Sequence, residues 1–263
     1  MGKTRILVIS DIHGNKEALQ QVDKFIKRTK VDKIICLGDV VGYGVDFKWC
    51  LEWIVEHNAV LIKGNHESMI LGETSIERCS DIAKQSFKWT YEQVDKKIEE
   101  KLKACENLYV YENILFTHAG NIDILKWRYI ENIDRARECF SNEYKINFFG
   151  HTHRACIIDE SGTKVDLTNT MTFRLSSEKC YYINPGSVGQ NRGTKTRVSF
   201  MIIESDMENI TLKYYSRRYK SYKAYRKILS SSMASEIGTY LVREETKRKL
   251  YDIVYKLVTT IKK

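Results

Sequence analysis

Short apolar runs rich in β-forming residues alternate along this chain with segments whose apolar residues recur at helical spacing. Eight such runs are present: RILVIS, KIICLG, AVLIKG, NILFTH, INFFGH, CYYINP, RVSFMIIE and ITLKYYSR. The helical segments between them include KEALQQVDKFIKRT, FKWCLEWIVEH and the span from Ser80 to Cys105. This alternation is typical of an α/β protein, and the last two runs predict a hairpin.

Polar side chains follow five of these runs at the point where each predicted strand ends. In open α/β sheets the functional groups gather just beyond the carboxyl ends of the strands. We therefore expect these side chains to lie at one edge of the fold. In chain order they are Asp11, His13, Asp39, Asn65, His66, His118, His151 and His153.

This set of residue types indicates a site for metal ions. Carboxylate, amide and imidazole ligands together suit a pair of divalent transition ions such as manganese, iron, cobalt or zinc. Asp39 is the natural bridging ligand, because each of its two oxygens can bind one ion. Two ions about 3.5 to 4 Å apart can share a hydroxide nucleophile and polarise a phosphoryl oxygen, which favours phosphoester hydrolysis. Taken alone, His151 and His153 are also compatible with packing or chance, since they are two residues apart.

The motifs appear in a fixed order. They are DxH at Asp11 and His13, GD at Gly38 and Asp39, GNHE from Gly64 to Glu67, then His118, and GHTH from Gly150 to His153. Over residues 5 to about 193 this order resembles the calcineurin-like metallophosphoesterases. GDVVGYG and NPGSVGQ are similar to a bacterial and archaeal branch grouped with diadenosine tetraphosphatases and protein phosphatases. The resemblance implies two mixed β-sheets packed as a sandwich and flanked by helices, a four-layer α/β/β/α fold.

The resemblance also implies roles for individual residues. Asp11, His13 and His153 would hold one ion, with Asp39 bridging to a second ion held by Asn65, His118 and His151. His66 would lie near the leaving-group oxygen and donate a proton to it, or else it is only hydrogen-bonded within its loop. Manganese is the first expectation for the metal, with iron, zinc, cobalt and nickel as alternatives.

One motif departs from the pattern of the eukaryotic-type protein phosphatases, which carry GDxxDRG. Gly42 and Tyr43 stand here at the positions of the second Asp and the Arg. The Asp that supports the catalytic histidine and the Arg that holds phosphate are both missing, which weighs against phosphoprotein phosphatase activity. Besides Asn65 and His66, the candidate substrate contacts are Tyr43, Arg154 and Arg192, although arginines in such positions are more often surface charges. The NPGSVG segment is either an anion-binding turn or an ordinary one.

The charge of the chain is concentrated at its end. Of 263 residues with a net charge of +9, residues 218–263 contain twelve basic and four acidic residues. We expect residues 1–217 to form the catalytic domain and 218–263 a basic helical extension packed on it. Its tyrosines and basic residues are typical of a solvated amphipathic helix, and alternatively of a surface that binds nucleic acid.

Composition predicts a soluble, cytoplasmic protein. No segment is long and apolar enough for a bilayer, and the seven cysteines form no CxxC pair, which favours reduced thiols. The leading hypothesis is a metal-dependent phosphoesterase acting on small phosphate mono- or diesters or nucleotides. A phosphoprotein phosphatase and a noncatalytic scaffold are the alternatives. The natural substrate, the metal and the oligomeric state are left open.

Overall fold

Two six-stranded mixed β-sheets form the centre of the protein in a computed structural model, which describes residues 4–77, 79–193, 196–205, 210–233 and 235–238. The strands are β1 Thr4–Ile9, β2 Lys33–Cys36, β3 Val60–Leu61, β4 Leu108–Tyr111, β5 Ile114–Thr117, β6 Ile146–Phe148, β7 Cys156–Asp159, β8 Lys164–Asp166, β9 Met171–Leu175, β10 Tyr181–Asn184, β11 Val198–Ser205 and β12 Ile210–Arg217. The helices are α1 Lys16–Ile26, α2 Phe47–Glu56, α3 Asn65–Ile70, α4 Asp81–Glu92, α5 Lys96–Lys103, α6 Ile133–Cys139 and α7 Ser221–Leu229. Short 3₁₀ turns lie at Ile124–Lys126 and Ser235–Ile237.

The order of the strands brings two parallel groups together. The first sheet has the order β3-β2-β1-β11-β12-β9, and the second has the order β4-β5-β6-β10-β7-β8. In the first sheet β1, β2 and β3 are parallel, and in the second β5, β6 and β10 are parallel. The carboxyl ends of each parallel group therefore lie together at one edge of its sheet.

Alternate residues of a strand point to opposite faces, and this separates the core into layers. In β1, Ile6 and Val8 belong to the apolar cluster between the two sheets, whereas Leu7 and Ile9 belong to the cluster that includes α1 and α2. The rings of Phe116 and Phe148, on neighbouring strands, stack in the inter-sheet layer with centroids 5.2 Å apart. Helix α6 covers the outer face of the second sheet. The expected four-layer sandwich is confirmed.

Local details differ from the expectations. The run AVLIKG forms only the two-residue strand β3, and β4, β7, β8 and β9 had not been predicted. The helical span from Ser80 to Cys105 is two helices, because the Asp95 side chain accepts a hydrogen bond from the backbone N–H of Ile98 at 2.9 Å and caps α5. The expected pairing of β11 with β12 is present and antiparallel. No helix in the described ranges has the length and apolar composition needed to cross a membrane.

The first part of the basic extension packs on the rest of the protein through α7. The Nζ atom of Lys227 lies 2.8 Å from Oε1 of the buried Glu17 on α1 and 2.6 Å from Oδ2 of Asp46 at the start of α2. Residues 239–263, on which the rest of the helical-extension prediction falls, lie outside the described residues. The boundary at residue 217 therefore stays a prediction.

Lys227→Met should lower the free energy of unfolding by about 1 to 3 kcal/mol, because the buried Glu17 carboxylate loses its cation. Chemical denaturation followed by circular dichroism measures the change. The matched control is Lys223→Met on the same helix, where the side chain is exposed. A loss of the same size in both variants would contradict the role of the Lys227 bridge.

Candidate metal centre

Five loops at the carboxyl ends of β1, β2, β3, β5 and β6 meet between the two sheets. Backbone hydrogen bonds join them: the N–H of Asp11 donates to the carbonyl of Gly38 at 3.0 Å, and the N–H of Gly150 donates to the carbonyl of His118 at 2.9 Å. Two groups of buried ligand atoms result, and within each group all atoms lie within 4.8 Å of one another. The first group is Asp11, His13, Asp39 and His153, and the second is Asp39, His118 and His151. Asp39 is shared, and Oδ1 of Asn65 lies 3.1 Å from Nε2 of His118 in the second group.

The backbone is strained where these side chains are attached. Five of the seven side chains expected to bind metal come from residues with a positive φ, a region that non-glycine residues rarely adopt. They are Asp11 (53°), His13 (48°), Asp39 (54°), His151 (63°) and His153 (58°). Such conformations cost of order 1 to 3 kcal/mol each and persist only where the surrounding structure enforces them. Their concentration in these loops is characteristic of a functional site.

Each imidazole of the two groups is fixed by a hydrogen bond from one ring nitrogen to a backbone carbonyl. These contacts are His13 Nδ1 to Val41 at 3.1 Å, His118 Nδ1 to Leu37 at 2.7 Å, His153 Nδ1 to Gln190 at 2.8 Å and His151 Nε2 to Trp127 at 2.9 Å. A carbonyl oxygen only accepts, so that nitrogen carries the proton. In a neutral ring the other nitrogen is then a lone pair directed into the site, which is the arrangement of metal-binding histidines.

The resulting cluster contains many acceptors and few protons. Nε2 of His13 faces Nε2 of His153 at 3.1 Å, and Nε2 of His153 lies 3.2 Å from Oδ1 of Asp11. Neither carboxylate oxygen of Asp11 has a hydrogen-bond partner in the part of the chain that the structure describes. Buried lone pairs that face one another are unfavourable unless a cation lies between them. The residues present therefore fit divalent metal ions.

The pKa values also indicate that the cluster has too little positive charge for its carboxylates. Burial lowers the pKa of His118, but the nearby Asp39 carboxylate outweighs it and raises that pKa to about 9. Burial and the positive charge of His118 lower the pKa of His151 to about 3. Burial raises the pKa of Asp39, yet His118 and His66 hold it well below its ordinary value. Without metal, a proton on His118 compensates the carboxylates, so a metal ion and a proton compete for the same nitrogen.

Glu67 holds the Asp39 loop in place. This fully buried side chain accepts four backbone hydrogen bonds of 2.8 to 3.1 Å, from the N–H groups of Asp39, Gly64, Val40 and Val41. It thereby ties the β2 loop to the first turn of α3, which carries Asn65. Burial and the charge of Asp39 raise the pKa of Glu67 to about 7, against the effect of these backbone donors. The place of Glu67 in the GNHE motif is the signal in the sequence that points to this role, which was not predicted.

Members of both groups, namely Asp39, His151 and His153, line a cleft of about 1010 Å³. Tyr43, His66 and Arg192, three of the expected substrate contacts, line this cleft together with Asp39 and Asn65. Arg154 does not line it, although it directly follows His153. Its side chain lines a neighbouring cavity of about 250 Å³, and Arg192 borders both spaces.

The two residues that depart from the protein-phosphatase pattern pack directly on His66. A Cβ atom on Gly42, whose φ is +83°, would lie 2.2 Å from Nδ1 of His66, so a side chain has no room there while His66 keeps its position. The ring of Tyr43 lies 4.9 Å from the ring of His66 and 4.8 Å from that of His13. An Asp at position 42 is therefore sterically incompatible with this arrangement.

A loop before α6 completes the second group in a way that no sequence motif indicated. Besides the Trp127 carbonyl, which fixes the His151 ring, Tyr129 stacks on that ring with centroids 4.4 Å apart. Nη1 of Arg192 lies 3.4 Å from the Tyr129 hydroxyl. The loop therefore orients both a candidate ligand and a candidate substrate contact.

The four-layer fold and the shared Asp39 define a metallophosphoesterase architecture. Residues 4–208 match the model of the calcineurin-like phosphoesterase superfamily domain, and the chain belongs to this family, which confirms the resemblance. It is 34% identical over 248 residues to an uncharacterized protein of Methanocaldococcus jannaschii, covering 92% of this chain and 98% of that one.

Two solved structures have the same fold. A metallophosphoesterase from Sphaerobacter thermophilus has a TM-score of 0.78 and 27% identity, and the match covers 91% of this chain and 98% of the other. A hypothetical protein from Pyrococcus horikoshii has a TM-score of 0.70, 14% identity and the same coverage, and it supports the fold alone.

Glu67→Gln should weaken binding of Mn²⁺ by about 10- to 100-fold, because the new amide N–H₂ opposes backbone donors that now position Asp39. Isothermal titration of metal-stripped protein measures the affinity. Glu73→Gln serves as the control, since Glu73 pairs with Lys63 and belongs to neither ligand group. Equal affinities in Glu67→Gln and in the unmodified protein would show that Glu67 does not position the ligands.

Proposed function

We propose that this protein is a dimetal-dependent phosphoesterase that hydrolyses phosphate mono- or diesters, either small molecules or nucleotides. The observation that carries the proposal is the pair of buried candidate ligand groups that share Asp39, members of which line an open cleft. Membership of the phosphoesterase family supports the same reaction class.

The two groups divide the proposed ligands between two ions. Asp11, His13 and His153 would hold one and Asn65, His118 and His151 the other, with Asp39 between them. Divalent ions held by these residues would act as Lewis acids: they would lower the pKa of a nearby water and would neutralise charge on the phosphoryl oxygens. Manganese is the first metal to test, since mixed imidazole and carboxylate sites accept it, and iron, zinc, cobalt and nickel follow.

His66 is proposed to protonate the leaving-group oxygen. Its ring lines the cleft. The backbone N–H of His66 donates to Oδ1 of Asp39 at 2.9 Å, whereas neither ring nitrogen forms a hydrogen bond with the described residues, so the ring is available to a substrate. Burial lowers the pKa of His66, although Asp39 opposes this. A phosphate anion bound beside the ring would raise the pKa and favour the protonated form that a general acid requires.

The walls of the cleft suit a phosphate ester with an apolar or aromatic group. Arg192 and Tyr43 are proposed to contact the phosphoryl oxygens, because a guanidinium and a phenol both donate hydrogen bonds to them. Phe87, Leu125 and Trp127 also line the cleft, which gives an apolar leaving group a surface to pack against.

The alternative functions have less support. A phosphoprotein phosphatase would have to work without the support of an Asp at position 42, where His66 leaves no room, and without an Arg at position 43. A noncatalytic scaffold would not need ligands held in strained backbone. The proposal that the basic tail binds nucleic acid rests mainly on residues 239–263, outside the described structure.

Hydrolysis of para-nitrophenyl phosphate and bis-para-nitrophenyl phosphate by metal-stripped protein tests the proposed function. Activity should return when manganese, nickel, cobalt, zinc or magnesium is added. Asp39→Asn should abolish it, because the neutral amide cannot replace the shared carboxylate. The ratio of the two rates separates a monoesterase from a diesterase. Failure of every metal to restore turnover, despite tight metal binding, would favour the scaffold.

Gly42→Ala should lower kcat by about 10²- to 10⁴-fold for an alkyl phosphate with a poor leaving group, because the new methyl group displaces His66. The loss should be smaller for para-nitrophenyl phosphate, whose leaving group needs little protonation. Gly72→Ala is a matched control: its φ is +73°, and its Cβ would meet nothing within 4 Å. Equal losses for both substrates, or reduced metal content, would contradict a proton-donor role for His66.

A further inference from the structure

The cavity of about 250 Å³ beside the cleft has a strongly basic lining. Its walls come from both sheets: Lys164 and Asp166 lie on β8 and Tyr214 and Ser216 on β12, while Arg192 lines it from the loop that precedes β11. Among the described residues, four basic side chains and one acidic side chain line it, namely Arg154, Lys164, Arg192, Arg197 and Asp166.

The charges of this lining are poorly compensated. Lys164 approaches Asp166 at 3.5 Å, but none of the three arginines forms an ion pair with a carboxylate of the described residues. Within the described residues, the side chains of Arg192 and Arg197 each form one hydrogen bond of 3.4 Å, to the Tyr129 hydroxyl and to the Ser216 carbonyl respectively. A guanidinium has five N–H donors and stays charged at any working pH, so most of the donors remain available. Three such positive charges around one cavity repel each other. An anion bound between them would replace this repulsion by a net electrostatic attraction.

The cavity adjoins the site of the proposed reaction. Arg192 lines both the cleft and the cavity, and its backbone N–H donates to the carbonyl of His153 at 3.2 Å. An anion held there would therefore lie one side chain away from the phosphate at the metal centre. Its volume is several times the roughly 30 Å³ of one water molecule, which leaves room for a phosphoryl group with bridging waters.

We propose that this cavity binds a second phosphate of the substrate, so that the preferred substrates are phosphoesters carrying another phosphoryl group a few bonds from the scissile one. Arg197 and Arg154 bind the distal phosphate, and Arg192 stands between the two phosphates. Guanidinium groups suit this role because one group can donate two parallel hydrogen bonds to two oxygens of the same phosphate. The inference rests on the proposed phosphoesterase function.

Titration of metal-stripped protein with inorganic pyrophosphate tests the cavity without requiring activity. Pyrophosphate should bind at a saturable site, and Arg197→Gln should weaken it by about 10- to 100-fold, as expected for the loss of one charge-assisted contact. Arg197→Lys should retain part of the affinity. Arg28→Gln removes an exposed charge at the end of α1 and should change nothing. Absence of saturable binding, or equal weakening in Arg28→Gln, would overturn the site.

Inhibition of the metal-loaded enzyme distinguishes a substrate subsite from a separate anion site. Adenosine 3′,5′-bisphosphate should inhibit hydrolysis of para-nitrophenyl phosphate at least about tenfold more strongly than adenosine 5′-monophosphate. In Arg197→Gln this ratio should fall toward one, while KM for para-nitrophenyl phosphate stays unchanged. Equal inhibition of the unmodified enzyme by the two nucleotides would overturn the assignment. So would an unchanged preference for the bisphosphate over the monophosphate in Arg197→Gln. Absence of turnover with every metal would refute the proposed function itself, whereas the pyrophosphate titration would still report on the cavity.

Discussion

The burial of unprotonated acceptor atoms around Asp39 is the constraint on which the site depends. Imidazole nitrogens and carboxylate oxygens approach within 3.1 to 3.9 Å of one another, which is unfavourable until cations bind. Contacts outside the cluster hold these atoms in place despite their unfavourable approach. Backbone carbonyls fix each ring, Glu67 accepts four N–H groups from the surrounding loops, and hydrogen bonds between the loops hold strained φ angles. The ligands are thus preorganised, and metal binding need not pay for ordering them.

The site also depends on how the two sheets dock, because neither sheet carries it alone. Asp11 and Asp39 follow strands of the first sheet, whereas His118 and His153 follow strands of the second. The 3.2 Å approach of His153 to Asp11 is therefore a distance between sheets. Core residues such as Phe148 separate the sheets, so a change in their volume would be transmitted to the ligand groups even though they touch no metal.

The parts of the site that sequence predicts are those with local signals. An apolar run that ends in Asp, Asn or His indicates both a strand and a candidate ligand, and five such runs gave the seven candidate ligand positions. Glu67 was missed because its partners are backbone groups of a loop 26 to 28 residues earlier, and Tyr129 because its contacts with His151 and Arg192 are tertiary. Strand β8 has no signal, since all three of its residues are exposed. Nothing in the sequence distinguishes Arg154 from Arg192 as substrate contacts. In the fold both line the smaller cavity, and of the two Arg192 alone also lines the cleft.

The replacement at position 43 alters how the cleft can recognise phosphate. Burial raises the pKa of Tyr43, so its phenol stays neutral and brings no positive charge to the cleft. Its ring instead joins an apolar cluster with Ile228, Met233 and Ile237, which belong to the C-terminal extension. The extension therefore supports a residue that contacts His13 and His66. Because position 43 carries an aromatic group, we expect Arg192 to provide the positive charge that binds phosphate in the cleft. Arg192 also lines the basic cavity, so the same side chain connects the two spaces.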